Sequence, residues 1–184
     1  MSIEKQSTEA IIVKIFESGE NDAVVKMYTR DFGMIFTKSM SLRKSVKLRA
    51  HIIENRISNV TLVKGKEYYR LAGAKEEYDK INAHKNLPIV TSIVGRYVTG
   101  EQKNTKLYDR LKDYISYPEL DHSILKICLT SEIMIMLGYL DSELLGFSLE
   151  KYLATTVEDY ILHIQLRKKE AVQIVTHAIS ASML

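Results

Sequence analysis

Gly19 to Arg49 reads GENDAVVKMYTRDFGMIFTKSMSLRKSVKLR, and its texture decides the fold of the N-terminal half. Glu17 to Asp22 is a polar loop whose Gly19 can take the positive φ of a tight connection. Ala23 to Thr29 has a strand pattern, Asp31-Phe32-Gly33 reads as a hairpin turn, and Met34 to Met40 returns as the next strand. Ser41 to Ala50 breaks that pattern with closely spaced cations. Leu42, Val46 and Leu48 are placed to seat it on the strands as a short helical turn. Between Ala23 and Arg49 there are seven Lys or Arg residues against one acid, Asp31.

Working outward, Thr8 to Phe16 is a strand with Ile11, Val13 and Ile15 on one face and Ala10, Ile12, Lys14 and Phe16 on the other. Two apolar faces suit a small barrel with something packed against its outside. Ile52 to Val63 reads as a fourth strand, Lys64-Gly65-Lys66 as a turn, and Tyr68 to Ala74 as a fifth. Five closely connected strands point to the oligonucleotide/oligosaccharide-binding (OB) barrel. Tyr28 and Phe36 are the rings expected in its interior. Tyr68 and Tyr69, being adjacent, must point to opposite faces.

After Lys75 the pattern turns helical, with a short helix and linker to Leu87. A helix follows from Pro88 to Val98, then one marked by Leu107, Leu111 and Ile115. A third opens at Tyr117-Pro118 and ends near Gly138; it is apolar over much of its circumference and so is expected at the centre of the second domain. A last helix starts at the Thr155-x-x-Glu158 capping box and runs almost to the end, with Arg167-Lys168-Lys169 on its exposed side. The expectation is an α+β chain: an OB barrel over residues 1–80, binding nucleic acid, and an all-α domain over 81–184, binding a partner.

Composition bounds the function. The 46% hydrophobic and 27% charged content is that of a folded protein. Net charge is only +3, but residues 1–80 carry 15 Lys/Arg against 11 Asp/Glu, and residues 81–184 carry 11 against 12. The excess positive charge therefore lies in the first half, where a polyanion would be drawn. Cys128 is the only cysteine, which excludes an internal disulfide and a multi-cysteine zinc site and fits a reducing cytoplasm. MSIEKQSTEA lacks the order of a secretory signal, and no apolar run approaches the roughly 20 residues of a membrane span.

No catalytic or metal-binding pattern emerges. The five histidines fall on separate elements, and the P-loop and Gly-x-Ser-x-Gly signatures are missing. Glu76-Glu77 and Asp109/Asp113 read as solvated helical faces. Lys38, Arg43, Lys44, Lys47 and Arg49 remain, within twelve residues and without an intervening acid. Lysine offers phosphate a mobile point charge and arginine a bidentate fork. The competing reading is a solvated loop that keeps the chain soluble.

The run Glu17 to Asp22 followed by Val24 to Gly33 resembles the N-terminal barrel of RecO-type recombination mediators, with their Gly-Glu-x-Asp loop, aliphatic strand and Thr-Arg/Glu-x-x-Gly turn. Lys47-Leu48-Arg49-Ala50 is similar to that family's Arg-Leu-Arg-Ala, Tyr68-Tyr69-Arg70-Leu71 closes the barrel match, and Leu137-Gly138-Tyr139 resembles its Leu-Gly-Tyr. The resemblance implies an OB fold on a helical domain, no enzymatic turnover and no cofactor. It also implies binding of single- and double-stranded DNA, strand annealing, and loading of recombinase with a RecR-type protein. The helical domain would receive the tail of the single-stranded-DNA-binding protein, and the setting would be the bacterial cytoplasm, at the nucleoid when DNA is bound. DNA contact would fall on Lys38, Arg43, Lys44, Lys47 and Arg49. Many members carry a four-cysteine zinc element after Leu-Gly-Tyr; here Leu140 to Leu144 holds no cysteine, so a short, zinc-less variant is implied. Two other readings stay open: an adaptor of the same fold that does not bind DNA, and an RNA-binding OB protein.

Overall fold

The computed structural model describes residues 5–40, 42, 44–65, 68–75, 79–118 and 120–182. Strands β1 (Lys5–Ser18), β2 (Asp22–Thr29), β3 (Gly33–Ser39), β4 (Arg56–Lys64) and β5 (Tyr69–Lys75) close into a barrel in the order β1-β2-β3-β5-β4. Only the β3–β5 pairing is parallel. Ile12, Val25, Met27, Ile35, Val60, Leu62 and Leu71 fill the interior. Helix α1 (Val46–His51) lies between β3 and β4, N-capped by Ser45. Leu42, Leu48 and Ile52, around that helix, join the interior cluster and plug the barrel. Val46 does not help to seat it, being 73% exposed.

β1 serves two cores at once, as its two apolar faces predict. Ile12 belongs to the barrel interior, whereas Ile11 joins Tyr28, Met34 and Ile57 in the core shared with the helices. A bulge at Val13 then shifts the register between Ile12 and Lys14. Residues 54 and 55 stitch it: Asn55 N–H donates to Ile12 O at 2.9 Å, and Ile15 N–H donates to Glu54 Oε1 at 2.8 Å. Beyond the bulge, Ile15 packs towards the barrel interior. β4 begins at Arg56 rather than Ile52, because Ile52 closes α1 and Asn55 turns the chain at φ 59°.

The C-terminal half comprises α2 (Asp79–Asn82), α3 (Leu87–Tyr97), α4 (Thr105–Ser116), α5 (His122–Met136), α6 (Leu149–Ala154), α7 (Val157–Leu166) and α8 (Lys168–Ser182). α5 is the centre, packed by α3, α4, α7 and α8. It starts at His122, capped by Asp121, and not at Tyr117-Pro118. Cys128 is buried in it, which pushes the thiol pKa up to about 12. Glu132 is also buried on α5; desolvation raises its carboxyl, while hydrogen bonds from Arg110 and Tyr114 oppose that rise.

The single last helix expected from the sequence is two helices. Arg167 breaks them, donating to Leu145 O at 2.6 Å and to both oxygens of Glu170. The cap of α7 is Thr156, one residue later than the expected Thr155. Neither α6 nor the 3-10 turn Ser142–Leu145 is expected from the sequence.

The helices clasp one part of the barrel. α3 lies on β1 so closely that a Cβ on Gly95 would stand 2.6 Å from Val13 Cγ1. Gly33 has φ 72° and backs onto Gln102, where a Cβ would come within 2.5 Å of the carbonyl oxygen. Next to it, Met34 N–H donates to Gly100 O. Arg30 forks onto Asp109, Lys103 reaches Asp31, and Lys112 reaches Glu9. Asp109 is thus an ion-pair partner rather than a merely solvated acid. Tyr28, from the barrel, packs against Tyr108 at 5.7 Å between ring centroids, and burial pushes its phenol well above the ordinary range.

Candidate nucleic-acid interface

Strand register fixes which cations share a surface. Cross-strand partners point to the same face of a sheet. One outward row runs Phe16, Val24, Lys38 and Arg70 across β1, β2, β3 and β5. The neighbouring row runs Lys14, Lys26 and Phe36 across β1, β2 and β3. Phe36, expected in the interior, is 52% exposed, because it alternates with Ile35 and Thr37, which face inward. Phe16 is 45% exposed, and the two rings stack at 6.5 Å between centroids. Lys26 Nζ sits 5.8 Å from the Phe36 centroid and donates to Gly95 O at 2.7 Å, at the last turn of α3.

This face carries two like-charged cross-strand pairs, Lys14 with Lys26 and Lys38 with Arg70. Such pairs work against the sheet unless an anion lies near. Lys14 has Glu54 at 3.3 Å and Lys38 has Asp22 at 3.7 Å. Among the described residues, no ion pair engages Arg70. Tyr68, beside it in sequence, is exposed, while Tyr69 packs towards the interior against Phe32.

The sequence-predicted residues divide between two elements. Lys38 belongs to the sheet face, beside Arg70. Lys44, Lys47 and Arg49 are exposed on α1 and the turn before it, and among the described residues no acid pairs with them. Lys47 and Arg49 flank the inward Leu48 and so splay to either side of the helix. Both groups adjoin β5, since α1 packs on that strand and Lys38 pairs with Arg70 upon it. Arg43 lies outside the described residues, as do Lys66 and the Glu76-Glu77 pair. Lys26 and Arg30 part company: Arg30 is spent on Asp109 at the clasp, whereas Lys26 lies on the open sheet face.

Lys14, Phe16, Phe36 and Arg70 belong to this surface and are missed by the sequence pattern. A pairing scheme of β1 with β2 and of β3 with β5 would have found them. Among the described residues no group of His, Cys, Asp and Glu is placed to hold a metal ion. The segment 140–144 contributes to a 3-10 turn capped by Asp141. No helix among them is long and apolar enough to cross a membrane.

Fold and site together define a class: an α+β chain whose small N-terminal barrel presents a cationic face beside a helical body. No family model matches the sequence. Two curated proteins do resemble it, both named DNA repair protein RecO. The one from Caldanaerobacter subterraneus subsp. tengcongensis is 26% identical, over 72% of this chain and 58% of its own length. The one from a Thermoanaerobacter species is 22% identical over the same shares. The matches thus span less than two thirds of those relatives, and they support assigning the chain to the RecO family.

Proposed function

We propose that the chain is a DNA-binding accessory protein of recombinational repair, acting without catalytic turnover in the bacterial cytoplasm. The observation that carries this reading is a set of cations on one barrel, Lys44, Lys47, Arg49 and Arg70, that have no carboxylate partner among the described residues, with Lys38 beside Arg70. Their chemistry matches the phosphate backbone, which supplies sequence-independent affinity. The strand order β1-β2-β3-β5-β4, with a helix between β3 and β4, supports an OB barrel, whose β2–β3 face and adjoining loops bind oligonucleotides in other proteins. The relatives' name supports repair as the setting.

In this proposal residues 1–80 hold single- and double-stranded DNA and bring complementary strands together. Residues 81–184 receive protein partners, a RecR-type protein and the tail of the single-stranded-DNA-binding protein, during recombinase loading. Fluorescence anisotropy with labelled oligonucleotides over a salt series tests it. Binding that falls by about 0.7 log units per phosphate contact for each log unit of salt is expected on single strands. No binding at low salt would instead leave an adaptor. Equal or better affinity for RNA of the same sequence would point to an RNA-binding protein.

A further inference from the structure

Resting on that reading, we propose that the outer face of β1–β3 is a base-stacking site for single-stranded nucleic acid, with Phe16 and Phe36 as its platform. The two rings lean together on a diagonal across β2, Phe16 opposite Val24 and Phe36 opposite Lys26, and each keeps about half its surface open. Exposed phenylalanine on a sheet contributes little to a core it does not enter. Here the pair is framed by four cations, Lys14, Lys26, Lys38 and Arg70, which among the described residues have two carboxylates beside them, Glu54 and Asp22. An apolar partner would desolvate those cations and supply no anion to Arg70, which no ion pair engages among the described residues. A strand with both flat apolar bases and phosphates satisfies rings and cations together.

Single-strandedness follows from the geometry of the bases. In a duplex the π-faces are buried against one another, so rings lying on a sheet can reach only a base that has left its stack. The bulge at Val13 is what brings Phe16 to this face. Without the extra residue, alternation from the outward Ile11 would place Phe16 on the interior side and Ile15 outside. Glu54, which accepts from the bulge amide of Ile15 and pairs with Lys14, holds that register.

The test compares an oligothymidylate with a hairpin duplex of equal phosphate number, bound to the wild-type chain and to the Phe16→Leu and Phe36→Leu variants. Both variants keep an apolar side chain at an exposed position. Each is expected to lose affinity for the single strand by about 5-fold to 150-fold, as removal of a stacked ring does. Duplex affinity should change by less than about twofold and the salt slope not at all, since no phosphate contact is removed. Phe36→Tyr should retain single-strand affinity. Photocrosslinking of a 5-iodouracil oligonucleotide to the wild-type chain avoids any folding defect, with adducts expected at Phe16 or Phe36. Leucine variants that bind oligothymidylate as tightly as wild type, or adducts only elsewhere, would overturn the stacking site alone. A wild-type chain that binds neither probe would overturn this site and the broader reading together.

Discussion

The outside of the barrel has two parts built on the same strands, and they differ in everything but backbone. Under the helices, Ile11, Tyr28, Met34 and Ile57 project into an apolar core, and ion pairs close its margin. A few residues along the same strands, the outward positions are Phe16, Val24, Lys26, Phe36 and Lys38, and the two rings stay about half exposed. On β2 and β3 the alternation runs unbroken from one part to the other, while on β1 the bulge at Val13 shifts it by one residue. Residue type on the outward positions decides which part is sealed and which stays open for a ligand. Lys26 marks the boundary, its amine donating to Gly95 O on the last turn of α3 while lying 5.8 Å from the Phe36 ring centroid.

Substitutions can break this contrast from either side. The largest effect on stability belongs to the sealed part: Tyr28→Ala should cost about 3–5 kcal/mol in a denaturation experiment, the range for deleting a buried aromatic ring. An unchanged midpoint would show that the helices do not depend on that ring. Gly95→Ala should cost about 1–3 kcal/mol, because the new methyl group meets Val13 and pushes α3 off β1. It should also shift Lys26, whose acceptor is the Gly95 carbonyl, and so weaken nucleic-acid binding as well. The Phe16 and Phe36 substitutions sharpen the contrast from the open side, with loss of single-strand affinity and little loss of stability.

The smallest effect is one of pH. Hydrogen bonds from Thr8 and Lys103 hold the Asp31 carboxyl below its usual range. A depressed folded-state pKa gives stability that is complete above the unfolded value of about 4 and fades as pH falls through the lower folded one. Thermal midpoints of the wild type and Asp31→Asn should therefore converge as pH drops below about 4. A gap that stays constant there would remove Asp31 from the clasp.

Much of the barrel is legible in the sequence because Gly19 and Gly33 punctuate it and the strands between are β-branched and apolar. The two apolar faces of β1 announce its two cores. The bulge at Val13 leaves no such mark, since its stitching by Glu54 and Asn55 comes from forty residues away. Phe36 misleads because an aromatic ring on a strand reads as core whichever face it occupies. The cations of α1 are visible as charge density, but Arg70 joins Lys38 only through the parallel β3–β5 pairing, which no local pattern encodes. In the helical half, α5 is plain from its apolar circumference. The break at Arg167 is hidden, because the stripe continues and the guanidinium is captured by a distant carbonyl, that of Leu145.

The central claim is that cations on this barrel hold nucleic-acid phosphates. It is tested most directly by the salt dependence of oligonucleotide binding in the wild type and in a Lys44→Ala, Lys47→Ala, Arg49→Ala variant. The log–log slope should flatten by about 2 on a single strand if all three residues contact phosphate. The thermal midpoint should stay nearly unchanged, since the three side chains are exposed. A variant that binds with the wild-type slope and affinity would place the phosphates elsewhere and contradict the claim.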